Sequence, residues 1–244
     1  MLAPLVVFDL DGTLIDTAPD LVAALNVVFA RIGLPGVAYE EARNMVGGGA
    51  QKMIERGLAA EGRSLSAAEL DGLARDFIAH YAAHIADNSR PFAGIEAVLD
   101  QLNQAGCRLA VCTNKQECLA RRLLDTLSMT SWFVAICGPD TFGRHKPDAE
   151  FLRRTIARAG GLPAAAVMVG DSINDVGMAK AAAIPVIAVD YGYTEISVRA
   201  LGADRVIADA ADLPGAVFEL FALGEPQRGA IPSALVPEGS GGGG

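Results

Sequence analysis

The sequence predicts an α/β protein: a doubly wound parallel sheet that carries an inserted helical domain. Three observations predict it. Near the start, the apolar run Leu5 to Phe8 ends in two carboxylates, Asp9 and Asp11, within LVVFDLDGTL. From residue 95 onward, helical and strand patterns alternate, as in a parallel sheet with crossover helices. Between these regions, residues 16–88 show helical spacing and no strand pattern.

Composition narrows the function classes. At 244 residues with 51% hydrophobic and 20% charged side chains, the chain can bury a sizeable core. No apolar run approaches the length of a membrane span, and Asp9 and Asp11 interrupt the N-terminal apolar stretch at once. A soluble cytoplasmic protein without a membrane partner is expected. A net charge of −9 argues against nonspecific nucleic-acid binding, which needs clustered Lys and Arg. Lysine is scarce: Lys52, Lys115, Lys146 and Lys180 are the only ones. Cys107, Cys112, Cys118 and Cys137 form no CxxC pair, so reduced thiols are expected rather than a disulfide framework.

The elements follow in order. An uninterrupted apolar run bounded by turn residues reads as a buried parallel strand, here 5–8. Asp16 and Thr17 can cap the next helix, with Pro19 in its first turn and Gly33 at its end. Met45 to Gly49 breaks the helical block, and another helix starts near Ser66 with Leu70, Leu73, Phe77 and Tyr81 on one face. After Arg90 to Gly94, helices are expected over 95–105, 116–127, 149–159, 175–182 and 213–223. Strands are expected over 108–112, 133–137, 166–169, 185–189 and 205–207. Residues 1–15 and 89–223 thus form the α/β core, and 16–88 the helical insert. The Gly- and Pro-rich stretch 224–244 reads as a flexible tail or an expression remnant and is set aside from the fold.

Ligands of open parallel sheets sit at the carboxyl ends of the strands. Four polar segments fall there: Asp9 and Asp11; Thr113 and Asn114; Lys146 within RHKPD; and Asp171 and Asp175 within GDSIND. Each has a plainer reading alone. Thr113-Asn114 and Asp171-Ser172 could cap helices, and Lys146 could be a solvated loop lysine. Together they supply carboxylates for a hard cation, a lysine for negative charge, and hydroxyl and amide donors. Two ionised carboxylates as close as Asp9 and Asp11 need a cation or a shared proton, and Mg²⁺ takes oxygen ligands alongside substrate phosphate.

DLDGT, the Thr113 strand end, Lys146 and GDSIND resemble the four motifs of the haloacid dehalogenase superfamily, in the right order. The helical block resembles that superfamily's cap, placed after the first strand of a Rossmann-like core. The resemblance implies Asp9 as nucleophile, forming an aspartyl-phosphate, and Asp11 as general acid/base. It implies that Thr113 and Asn114 hold phosphoryl oxygens and that Lys146 neutralises charge. It also implies Mg²⁺ on Asp9, the Asp11 backbone carbonyl and Asp171, supported by Asp175. The second acid, Asp11, argues against dehalogenase chemistry. Phosphonate-cleaving relatives use a cap lysine as a Schiff base, and Lys52 is the only cap lysine.

Within the superfamily, MVGGGAQKMIERGL, CRLAVCTNK, GPDTFGRHKPD and VGDSINDVGMAKAAAIPVIAVDYGYTE are most similar to bacterial phosphoglycolate phosphatases. That likeness implies a phosphomonoesterase for a small phosphorylated metabolite, 2-phosphoglycolate, acting as a monomer or homodimer. A same-fold phosphatase or pyrophosphatase for another small phosphate ester, a phosphosugar mutase and a catalytically silent phosphate-binding domain remain alternatives. Ala93 and Ala149 replace frequent prolines, away from the chemistry. Gly47, Gly48 and Gly49 allow close approach to a small anion and are expected to serve substrate closure. His80 and His84 read as a surface helix pair, and Trp132 and Phe133 as core.

Overall fold

A six-stranded parallel sheet organises the protein in the computed structural model, which describes residues 3–194 and 196–224. In chain order, β1 (Leu5–Phe8) and β2 (Ile15–Asp16) lead to α1 (Ala18–Arg31), α2 (Tyr39–Ala42), α3 (Ala50–Ala60) and α4 (Ala67–Ala83). Then β3 (Arg90–Pro91), α5 (Ile95–Gln104), β4 (Arg108–Cys112), α6 (Glu117–Thr126) and β5 (Phe133–Cys137) follow. After α7 (Pro139–Phe142) and α8 (Ala149–Arg158) come β6 (Ala166–Gly170), α9 (Ile173–Ala182), β7 (Val186–Val189), β8 (Arg205–Ile207) and α10 (Leu213–Gly224). The tail expected from residue 224 lies, apart from Gly224, outside the described residues. Among those residues, no helix is long and apolar enough to cross a membrane.

The strand order is β5-β4-β1-β6-β7-β8, and every pairing in it is parallel. All four β1 residues are buried, because helices cover both faces of the sheet. Val6 and Phe8 pack on the side of α5, α6 and α10; Leu5 and Val7 pack on the side of α8 and α9. The chain builds outward from β1 in one direction through β4 and β5, then returns to build the other way through β6. That reversal opens a crevice at the carboxyl ends of β1, β4 and β6.

Helices α1 to α4 form the segment between the first and second strands of the large sheet. Helix α4 packs on α1 and α3, and its Leu73, Ala74, Phe77 and Tyr81 are buried. Ser66 caps α4 through a reciprocal capping box with Glu69.

Three features depart from the sequence reading. Strands β2 and β3 pair antiparallel, Ile15 with Pro91 and Asp16 with Arg90, where the insert leaves and rejoins the sheet. Two-residue strands have no periodicity to read, so this ribbon left no sequence signal. Thr17 occupies the N-cap of α1 but makes no capping bond; its hydroxyl donates instead to Asp11 Oδ1 at 2.7 Å. Helix α9 also starts two residues before its expected position, because Ser172 caps it.

A second clasp holds the insert's ends. Asp20, buried in α1, accepts hydrogen bonds from the backbone N–H groups of Asn88 and Ser89 and from both their side chains. Burial alone would raise its pKa, but the donors on Ser89 and Asn88 outweigh burial and hold it below the usual carboxylate value. The clasp therefore stabilises the fold above the unfolded-state pKa and is lost as pH falls through the lowered folded value. Replacing Asp20 by Ala leaves buried donors unpaired, and should cost on the order of 3 kcal/mol in urea denaturation at pH 7. The deficit should shrink as the pH approaches 3.

Candidate active site

Asp9 follows β1 directly, and its backbone N–H donates to Val169 of β6 at 2.8 Å, which fixes it between two strands. Its side chain is buried, and Oδ1 accepts from Leu10 N–H at 2.7 Å. Asp171 follows β6 and is also buried; the Thr13 hydroxyl and the Tyr193 N–H donate to it at 3.2 and 2.7 Å. Asp175 lies in the first turn of α9, where it closes the capping box with Ser172. Oxygens of Asp9, Asp171 and Asp175 all lie within 4.8 Å of one another.

Lys146, buried, bridges this cluster: its Nζ is 2.6 Å from Asp9 Oδ1 and 2.6 Å from Asp175 Oδ1. Burial by itself would lower the lysine's pKa, but Asp175 and Asp9 reverse that and push it up. One ammonium does not balance three desolvated carboxylates. Burial, reinforced by Asp175 and Asp11, pushes Asp9 up to about 7 even against the opposing pull of Lys146. Asp171 is raised well above the usual range by burial, then by Asp175 and Asp9. An all-oxygen set with surplus negative charge fits a hard divalent cation, which reverses such shifts.

The glycine of DLDGT is required by this crowding. Gly12 has φ +83°, and a Cβ there would stand 2.2 Å from Asp171 Oδ2.

Asp9 also faces a cavity of about 860 Å³ lined by Asp11, Thr113, Asn114, Lys115 and Lys146 from the sheet side. Gly47, Gly48 and Gly49, just ahead of α3, line it from the insert. Thr113 is buried, and its Oγ1 accepts from Lys115 N–H at 3.1 Å. Neither Thr113 nor Asn114 caps α6; Gln116 occupies that position. The Asn114 side chain ties the walls together: Nδ2 donates to the Gly47 carbonyl at 3.2 Å, and Oδ1 accepts from Lys146 N–H at 2.8 Å. The donors left to Asn114 for a ligand are its backbone N–H and the second hydrogen on Nδ2.

Asp11 stands apart from the three-acid cluster. Its Oδ1 accepts from Lys115 Nζ at 2.7 Å and from Thr17 Oγ1 at 2.7 Å. Lys115 is buried and also donates to Tyr81 Oη at 2.8 Å. Sequence reasoning assigned neither Lys115 nor Tyr81 a role; the available signal was a scarce lysine adjoining Thr113-Asn114. Lys52, the lysine of the helical insert, lines the cavity but is exposed and pairs with Glu55 at 3.3 Å. The rings of His80 and His84 lie 4.5 Å apart at the surface, and Asp87 pairs with His84. All four cysteines are free.

Residues 6–189 match the model of the haloacid dehalogenase-like hydrolase family. The chain is 49% identical over 218 residues to a phosphoglycolate phosphatase of Agrobacterium fabrum, covering 89% of this chain and 94% of that one. It is 46% identical over 216 residues to a phosphoglycolate phosphatase of Caulobacter vibrioides, covering 88% and 91%. A crystal structure described as a predicted phosphoglycolate phosphatase from Haemophilus somnus superposes with TM-score 0.81 at 26% identity, covering 88% of this chain and 97% of that one.

Substituting Gly12 by Ala should lower stability by about 2–4 kcal/mol through backbone strain and the clash with Asp171, read by chemical denaturation.

Proposed function

The chain belongs to the haloacid dehalogenase-like hydrolase family, and from that premise we propose that it is a Mg²⁺-dependent phosphomonoesterase that hydrolyses 2-phosphoglycolate to glycolate and phosphate. The observation that carries the reading is the position of Asp9, which joins the buried acid cluster to the cavity. The phosphoglycolate phosphatases at 46–49% identity support the substrate. The insert's wall adds Lys52, Arg56 and Arg75 against Asp71, a cationic bias that suits a small ester bearing a carboxylate.

The proposed division of labour follows the geometry. Asp9 Oδ1 is held by Leu10 N–H and Lys146, so Oδ2 is the attacking oxygen. As the Oδ2–phosphorus bond forms, the bond from phosphorus to the leaving oxygen breaks with its electron pair, and Asp11 gives that oxygen a proton. Water then attacks the phosphorus of the aspartyl-phosphate, its proton passes to Asp11, and the Asp9–phosphorus bond breaks to release phosphate. Thr113 Oγ1 and Asn114 N–H hold phosphoryl oxygens, and Lys146 stabilises charge developing on Asp9 and the phosphoryl group. Asp9, the Asp11 carbonyl and Asp171 hold Mg²⁺, with Asp175 in support. The bound cation supplies Lewis-acid polarisation of the phosphoryl group and offsets the clustered negative charge.

Residues 16–88 act as a cap, with Gly47 to Gly49 closing over the small substrate. The same reading has the enzyme act on a free metabolite in the cytoplasm, in line with its free thiols.

Phosphate release from a panel of small phosphorylated metabolites should rank 2-phosphoglycolate first, and Asp9→Asn should abolish turnover. A different leading substrate, or an active Asp9→Asn variant, refutes the assignment. Because Asp9 and Asp171 bind protons more tightly than ordinary carboxylates, Mg²⁺ binding should release protons. Its affinity should accordingly rise from pH 6 to pH 8, measured by calorimetry in buffers of different ionisation enthalpy.

A further inference from the structure

We propose that Lys115, together with Tyr81, is a positioning residue that selects which oxygen of Asp11 handles the proton and ties that choice to the placement of the helical insert. The inference rests on Asp11 being the acid/base of the phosphatase reaction.

The geometry is asymmetric. Both donors that reach Asp11, Lys115 Nζ and Thr17 Oγ1, converge on Oδ1, each at 2.7 Å. Among the described residues, Oδ2 accepts no hydrogen bond and is not sealed in the interior, while Asp11 lines the cavity. A carboxyl group with one oxygen fixed by two donors cannot exchange its oxygens without breaking both bonds. Oδ2 is thereby left to carry the proton to the leaving oxygen and, later, to take one from water.

Lys115 is itself fixed from the opposite side. Its side chain is 4% exposed, donates to Tyr81 Oη at 2.8 Å, and lies 4.5 Å from the centre of the Tyr81 ring. Tyr81 belongs to α4 of the insert, Lys115 to the loop after β4, and Thr17 to the connection between β2 and α1. The two donors on Asp11 therefore depend on three separate elements. Only with α4 seated against the core does Lys115 have both its partners. An insert that swings away removes Tyr81 from Lys115 and loosens the acid's orientation, which couples proton transfer to closure.

Leaving-group dependence tests this. An ester with an acidic leaving group departs without a proton donor, whereas an alkoxide needs one. The substrates are p-nitrophenyl, phenyl and ethyl phosphate, none of which carries a carboxylate, with 2-phosphoglycolate assayed alongside, and kcat/KM reports only the steps through leaving-group departure. Lys115→Met is expected to lower kcat/KM about a hundredfold for ethyl phosphate and less than about threefold for p-nitrophenyl phosphate. Tyr81→Phe keeps the ring and removes only the hydroxyl, so it should shift the series the same way by roughly tenfold at the ethyl end. Thermal melting of each variant checks that it folds, and Tyr81→Phe decides the matter where Lys115→Met does not.

An equal loss across the series in both variants overturns the inference, because a merely structural role would produce it. A loss confined to 2-phosphoglycolate, with the carboxylate-free series unchanged, overturns it in favour of Lys115 reading the substrate's carboxylate. Wild-type protein that hydrolyses neither these esters nor 2-phosphoglycolate overturns the phosphatase reading and this inference with it. Wild-type activity with an unchanged leaving-group slope in the variants overturns this inference alone.

Discussion

Negative charge gathered out of water is the constraint to which the rest of the structure answers. Asp9, Asp171 and Asp175 present oxygens within 4.8 Å of one another, and all three are buried. At that spacing and an effective dielectric near 20, each ionised pair repels by roughly 3.5 kcal/mol. The protein meets this with donors aimed at single oxygens: Leu10 N–H on Asp9, Tyr193 N–H and Thr13 on Asp171, and Ser172 on Asp175. Among the described residues, Lys146 alone contributes a full opposing charge to the cluster, across Asp9 and Asp175. A site built this way is unbalanced by itself, and its surplus negative charge fits a hard cation.

The same residues that hold the cluster also hold the insert. Tyr193 donates its N–H to Asp171, while its hydroxyl accepts from Ala18 N–H at the start of α1 and bonds Asp16 in β2. Asp20 draws Asn88 and Ser89 onto α1, so the two crossings between sheet and insert stay side by side. Asn114 connects the glycine loop to the Lys146 segment. Displacement of the insert therefore acts on the groups around the chemistry, through short hydrogen bonds with defined partners.

Much of the fold was legible because parallel strands buried on both faces are near-continuous apolar runs, as LVVF, VIAV and the LAVC that follows Arg108 are. The alternation of those runs with amphipathic helices then sets the layers. The ribbon of β2 and β3 was not legible, since two residue pairs that meet across 76 and 74 positions carry no local pattern. Thr17 was misread for a related reason. A threonine ahead of a helix looks like a cap, but its hydroxyl found a better acceptor in Asp11 once β2 brought the two together. Ser172 illustrates the converse, because a capping box is local and needs only the spacing to Asp175.

By itself, the sequence determined which residues stand at the strand ends: a strand's length and the turn that follows are local properties, and they carry Asp9, Thr113 and Asp171 to one edge. Tertiary structure alone decided how those residues divide their hydrogen bonds. Asp9 and Asp11 are two positions apart, yet one turns to Lys146 and the buried cluster, the other to Lys115, Thr17 and, beyond them, Tyr81 of the insert. Carboxylates are chemically alike along the chain. Their partners are set by contacts that exist only after distant segments have packed, and those contacts separate the two acids.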